Sequence, residues 1–139
     1  MKRPPLIGLV GICGSGKTTL AEPLMQAGYP VRQIAQEHSH TPDMWQRLTN
    51  PDLLIYLHVS YPISMQRKHF HWLESEYQEQ ARRLAHARQH ADLVIDTDPL
   101  NPAEVLQQVL DFLDKVAEKV TNTTRRKRPG SGRDRRGWR

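Results

Sequence analysis

Apolar positions in this chain come as short continuous runs separated by longer amphipathic stretches, a pattern that predicts strands and helices taking turns. Leu6-Ile7-Gly8-Leu9-Val10 reads as a strand buried on both faces of a parallel sheet. Thr18 to Ala27 follows as a helix with Leu20, Leu24 and Met25 on one face, Pro23 inside it and Gly28 as its stop. Val31 to Glu37 is a weaker strand candidate, and Thr41-Pro42-Asp43 has the form of an N-cap with proline at the first helical position, opening a short helix through Leu48. Leu53 to Val59 is a strong strand between two turn signals, Asn50-Pro51-Asp52 and Ser60-Tyr61-Pro62. Residues 62–90 carry a polar helical pattern long enough to be broken once, and Asp92 to Asp96 is the last strand. Asn101-Pro102-Ala103-Glu104 forms a capping box, and Val105, Leu106, Val109, Leu110, Leu113 and Val116 mark the apolar face of the closing helix. The expected fold class is α/β: a parallel sheet of four or five strands with helices on both faces.

Length and charge divide the chain in two. With 139 residues it has room for one domain, expected over residues 1–120. The formal charge is +5, yet residues 121–139 hold eight Lys or Arg against one acid, Asp134, while the first 120 hold twelve basic and fourteen acidic residues. Basicity is therefore a property of the tail, which has little to bury and is expected to be disordered. Such a tail either contacts nucleic acid or an acidic partner through charge alone, or is a solvated extension. The single cysteine, Cys13, excludes an intramolecular disulfide, and the first apolar run is too short for a signal peptide or a membrane span, so a cytoplasmic protein is expected.

The chemistry sits between the first strand and the first helix. Gly11-Ile12-Cys13-Gly14-Ser15-Gly16-Lys17-Thr18 fits the phosphate-loop (Walker A) pattern G-x-x-x-x-G-K-[ST] at every fixed position. Glycines let successive amides converge on a phosphate without a side chain in the way, and the helix start adds its dipole. Gly11, Ile12, Cys13, Gly14, Ser15, Gly16, Lys17, Thr18 and Thr19 are thus the expected nucleotide-binding residues, with ATP and Mg²⁺ as ligands. Lys17 would address the β and γ oxygens, and Thr18 would address the metal. Cys13 occupies a variable position, where it is either a small filler or an oxidation-sensitive thiol.

With these elements in this order, residues 6–116 resemble the small P-loop kinases, the group of nucleoside monophosphate, shikimate, gluconate and adenylylsulfate kinases. The resemblance implies an ATP-dependent phosphotransferase acting on a small hydroxyl-bearing acceptor. It implies arginines in or beside a lid, to which Arg67, Arg82 and Arg83 could correspond, Arg82 being assigned the catalytic role. It also implies that Asp98 to Asn101 lie near the base. Two features depart from the group. No strand ends in a clear Walker B aspartate, so Glu37 is the candidate metal-binding and catalytic carboxylate, or else a surface acid. Fourteen residues separate Glu37 from Asp52, too few for a helical monophosphate-binding insert, so this is a reduced form. His38, His40 and Trp45 fall in this gap as possible ligand-recognition groups, and with His69 and His71 the histidines either bind a metal or serve as ordinary polar and packing residues. A second functional reading is a nucleotide-binding module that senses ATP or ADP and signals to a partner with little or no catalysis.

Overall fold

The two longest apolar runs pair with each other at the centre of a sheet. In the computed structural model, which describes residues 3–68 and 71–126 and from residue 120 onward only the backbone, β1 (Ile7–Gly11) lies parallel to β3 (Leu53–His58), with Ile7 opposite Leu53 and Gly11 opposite Leu57. β2 (Val31–Gln33) flanks β1 and β4 (Leu93–Asp96) flanks β3, giving an all-parallel, four-stranded sheet in the order β2-β1-β3-β4. Alternate residues serve opposite faces. Ile7, Leu9, Ile55, Leu57 and Ile95 pack under α1 (Lys17–Gln26) and α5 (Pro102–Arg126), against Leu20, Leu24, Val109 and Leu113. Val10, Leu54 and Tyr56 point the other way, into a second core with Trp45, Leu84 and Ala87. Both faces are covered, which explains why the central strands are apolar throughout rather than alternating.

α1 tolerates Pro23, whose missing N–H would otherwise bond the carbonyl of Thr19, because Leu20, Ala21 and Leu24 anchor the helix in the core. The capping box at α5 forms as its residues dictate: Glu104 N–H donates to Asn101 Oδ1 at 2.8 Å, and Asn101 N–H donates to Glu104 Oε1 at 2.9 Å.

Three sequence expectations need correction. The strand expected through Glu37 ends at Gln33; Ile34 makes a last bond to Leu9, and the chain then turns into a 3₁₀ turn, Gln36–His38. Gln36 causes the departure. Its fully buried amide accepts from Trp45 N–H at 2.8 Å and donates to the carbonyls of Thr41 and Arg83, a network that a strand residue could not reach. The helix expected from Thr41 is a π-helical turn, Trp45–Thr49, with no side-chain cap; Thr41 stands before it in a bend, its N–H donating to Ser39 Oγ at 3.0 Å and its carbonyl accepting from Met44 N–H at 3.1 Å. Residues 62–90 break twice rather than once, into α2 (Tyr61–Lys68), α3 (Glu74–Arg83) and α4 (Ala85–His90); the second break falls at the fully buried Leu84. The backbone of α5 runs from Pro102 to Arg126, with no glycine or proline before Pro129 to interrupt it. The remaining tail, residues 127–139, lies outside the described residues. Among the described residues no helix is long and apolar enough to cross a membrane.

Candidate functional site

From β1 the chain connects to β2 on one side and, later, to β3 on the other. In an open parallel sheet this reversal leaves a crevice beyond the C-terminal strand ends, where ligands bind. The glycine-rich segment occupies it. Gly14 and Gly16 hold φ values of 89° and 100°, which only glycine adopts readily, and Ser15 N–H bonds the carbonyl of Ile12 at 2.9 Å to close the turn. Gly11 is required for space. A Cβ there would lie 2.5 Å from Ser15 Oγ and 2.6 Å from the carbonyl oxygen of Leu57, whereas a Cβ on Gly16 would meet nothing within 4 Å. α1 therefore starts beside open space, with no side-chain cap and no acid in its first turn. That is a helix end whose positive dipole is unanswered by the chain itself.

Lys17 and Glu37, twenty residues apart, meet at this loop. Lys17 Nζ donates to Glu37 Oε2 at 3.0 Å and to the carbonyl of Gly11 at 2.5 Å, with the two side chains only 13% and 6% exposed. Glu37 Oε1 is buried with no hydrogen-bond partner among the described residues, and Ser15 Oγ shares that condition. Thr18 stays exposed, its hydroxyl donating to Gln33 Oε1 at 2.9 Å, and Thr19 is exposed on the same first turn. Ile12 turns into the second core. Cys13 is clasped by Gln80, which accepts from its N–H at 3.1 Å and donates from Nε2 to Sγ at 3.5 Å. His38 Nε2 lies 4.0 Å from the same sulfur and 3.7 Å from Glu37 Oε2.

On the other side of the loop lies a cavity of about 380 Å³, bounded by Gly14, Ser15 and Gly16 at one end and by Leu100, Pro102 and Val105 at the other. Arg67 forms its wall. Its guanidinium donates to Thr97 Oγ1 at 2.8 Å, to the Thr97 carbonyl at 2.7 Å and to the Gly14 carbonyl at 3.2 Å, tying α2 to both the loop and the end of β4. Asp98 turns from this cavity and accepts from Ser60 N–H at 2.9 Å. Burial pushes the Asp98 carboxyl up, but the backbone and hydroxyl of Ser60, with the charges of His58 and Arg67, outweigh it and hold the group below its ordinary range.

The expected residues are thus only partly gathered. Gly11 to Thr19 and Glu37 come together. Arg82, assigned the catalytic arginine on sequence, does not join them: it is 66% exposed and pairs with Glu79. Its neighbour Arg83 turns inward, 23% exposed, bonding Glu79 Oε2 at 3.0 Å and the Glu37 carbonyl at 3.4 Å. Glu79, three residues before Arg82 and four before Arg83, was the sequence signal that one acid could hold both. Trp45 is a core residue, 5% exposed, whose indole N–H donates to His86 Nδ1 at 3.1 Å; it offers no surface to a ligand. His40 and His71 are exposed and outside any cluster of potential metal ligands found among the described residues, and His69 is outside those residues. The grouping that does form, Cys13 with Glu37 and His38, joins one histidine of the expected set to the expected metal-binding carboxylate and to a thiol that sequence read as a filler or an oxidation-sensitive group. No protein-family description matches this chain, and neither does any curated protein.

Proposed function

We propose that this chain is a P-loop protein of the small-kinase type that binds ATP and, with Mg²⁺, transfers the γ-phosphoryl group to a small hydroxyl-bearing acceptor. The observation that carries the reading is the cradle itself. Two glycines at positive φ, an uncapped helix start, open space at Gly16 and a lysine on the first turn converge at the sheet's switch point. Each is a feature that a polyphosphate needs and that a structural turn does not. The neighbouring cavity, about 380 Å³ with apolar walls from Leu100, Pro102 and Val105, falls within the size range of small-molecule pockets and suits a base, with Arg67 along one side.

Phosphoryl transfer asks the protein mainly for positioning and for cations around the equatorial oxygens. In this reading Lys17 leaves Glu37 for the β and γ oxygens, and the amides of residues 14–18 hold the β-phosphate. Thr18, exposed beside Lys17, would be the hydroxyl that holds Mg²⁺, with Glu37, the partner of Lys17, as its carboxylate; the ion would supply charge neutralisation across the phosphates. Once released by Lys17, Glu37 is also free to accept the proton of the acceptor hydroxyl as that oxygen attacks phosphorus and ADP departs. Arg83, on the Glu37 carbonyl, and Arg67, on the loop, would be cations for the phosphoryl oxygens, and Arg82 has no part in this reading.

The buried Lys17–Glu37 pair also favours the second reading. A nucleotide that draws Lys17 away would unlock the 3₁₀ turn carrying Glu37 and could report its presence to a partner. Titration with ATP and ADP, with Lys17→Ala for comparison, tests what both readings share: Lys17→Ala should weaken binding at least tenfold, and an unchanged affinity counts against both. Consumption of ATP in the presence of a panel of small hydroxyl compounds, lost in Glu37→Gln, selects the kinase; binding without any turnover selects the sensor.

A further inference from the structure

We propose that Cys13, Glu37 and His38 form a binding site for one Zn²⁺ ion at the mouth of the glycine loop, with a fourth coordination position open to water. It needs only these three side chains; it shares Cys13 and Glu37 with the proposed nucleotide site but does not rest on that reading.

The donors come from two elements, the loop after β1 and the 3₁₀ turn after β2, brought face to face by the pairing of those strands. Their ligand atoms all lie within 4.8 Å of one another. Cys13 Sγ is 4.0 Å from His38 Nε2, and His38 Nε2 is 3.7 Å from Glu37 Oε2. A tetrahedral ion with Zn–N near ~2.0 Å and Zn–S near ~2.3 Å holds its donors roughly 3.3–3.7 Å apart. The two separations that involve His38 are within a few tenths of an ångström of that range, and His38, 60% exposed, has the freedom to close them; the thiol and the carboxylate, within 4.8 Å of each other, would draw together by up to about an ångström as the ion binds.

The state of Glu37 also favours a cation. The group is only 5% exposed and holds His38 at 3.7 Å through Oε2, while its Oε1 is buried with no hydrogen-bond partner among the described residues. A buried carboxylate left half unsatisfied is costly, and an ion bound to that carboxylate lowers the cost. Lys17 already neutralises part of Glu37 through Oε2, so an ion on this carboxylate would take over that task and leave the ammonium free for the loop.

Cys13 is held ready by the buried Gln80, whose amide accepts from the Cys13 N–H and donates to the sulfur. Such outer contacts orient ligands at metal centres. The donor chemistry selects the ion. Mg²⁺ requires oxygen ligands in octahedral array, while a thiolate, an imidazole and a carboxylate suit Zn²⁺, and three protein ligands leave the open position found at reactive zinc centres. Binding releases the thiol proton to solvent.

The test uses the full chain in a thiol-free reductant, with Zn²⁺ titrated against a chromophoric chelator and Co²⁺ as a spectroscopic substitute. The expected result is one equivalent bound, with a thiolate-to-Co²⁺ charge-transfer band that Cys13→Ser abolishes. His38→Ala and Glu37→Gln should each weaken Zn²⁺ binding by roughly tenfold or more, at least the loss that follows removal of an outer contact. His40→Ala, exposed and outside the cluster, should leave band and affinity as in the parent. Circular dichroism checks each variant's fold, with Cys13→Ala standing in if Cys13→Ser does not fold. Binding of Co²⁺ without the band, a His40→Ala loss as large as that of His38→Ala, or no binding at all overturns the proposal. None of those outcomes changes the nucleotide titration, so failure here is distinct from failure of the cradle.

Discussion

Glu37→Gln should tighten nucleotide binding in the absence of Mg²⁺ while removing any phosphoryl transfer. In the ligand-free protein Lys17 spends its charge on Glu37 at 3.0 Å and on the Gly11 carbonyl at 2.5 Å, inside a site where the two side chains are 13% and 6% exposed. A nucleotide must draw the ammonium from that carboxylate before its phosphates gain the charge. A hydrogen bond between charged groups is worth about 1.5–3 kcal/mol net, much less than its gross Coulomb energy because desolvation opposes it. Removing the carboxylate charge spares the nucleotide that expenditure and one unit of repulsion, so ADP affinity should rise roughly 10- to 100-fold. The assay is calorimetric titration of ADP with a chelator present, which excludes any metal-holding role of Glu37 from the result. Glutamine keeps the shape, but Lys17 loses its counter-charge, so thermal unfolding must first establish that the variant is folded. Lys17→Ala strands Glu37 as a buried, uncompensated charge, at a stability cost of about 3–5 kcal/mol, and is best paired with Glu37→Gln in a double variant. Affinity in Glu37→Gln equal to or weaker than the parent would refute the premise that Lys17 exchanges Glu37 for phosphate.

Three further outcomes follow from the same geometry. Arg67→Ala removes three hydrogen bonds and the cavity wall and should weaken ATP binding by roughly tenfold, whereas Arg82→Ala, exposed on α3, should leave stability within about 0.5 kcal/mol and binding unchanged; paired titrations and denaturant melts check both. Trp45→Ala should destabilise the fold by about 3–5 kcal/mol in urea, while Trp45→Phe, which loses only the bond to His86 and some volume, should bind ATP like the parent; a binding defect in a folded Trp45→Phe variant would return that residue to the site. Asp98 has its folded-state value below the ordinary 3.8, so its stabilisation is present above that pH and is lost as pH falls through the lower folded value. Asp98→Asn should therefore be less stable than the parent at neutral pH, with the gap closing below 3.8 in denaturant melts, and a gap that stays constant with pH would rule out the carboxylate as its source.

What could be read from the residues in order is what they encode locally. The apolar run of β1, the glycines after it and the capping box of Asn101 and Glu104 each specify their conformation within a few positions, and each forms where expected. The site beyond the loop is built differently. Gln36 ends β2 early because its amide serves Trp45 nine residues on and Arg83 forty-seven residues on, partners that no local pattern announces. The choice of Arg83 over Arg82 is likewise a matter of rotation about α3, shared between them by Glu79 and settled by where the chain breaks at Leu84. Cys13 and His38, twenty-five residues apart, meet only because β1 and β2 are neighbours, and strand order is not written in either strand. Sequence spacing therefore located the glycine loop and its positive-φ turns, whereas the carboxylate, thiol and imidazole beside it became neighbours only through the topology of the sheet.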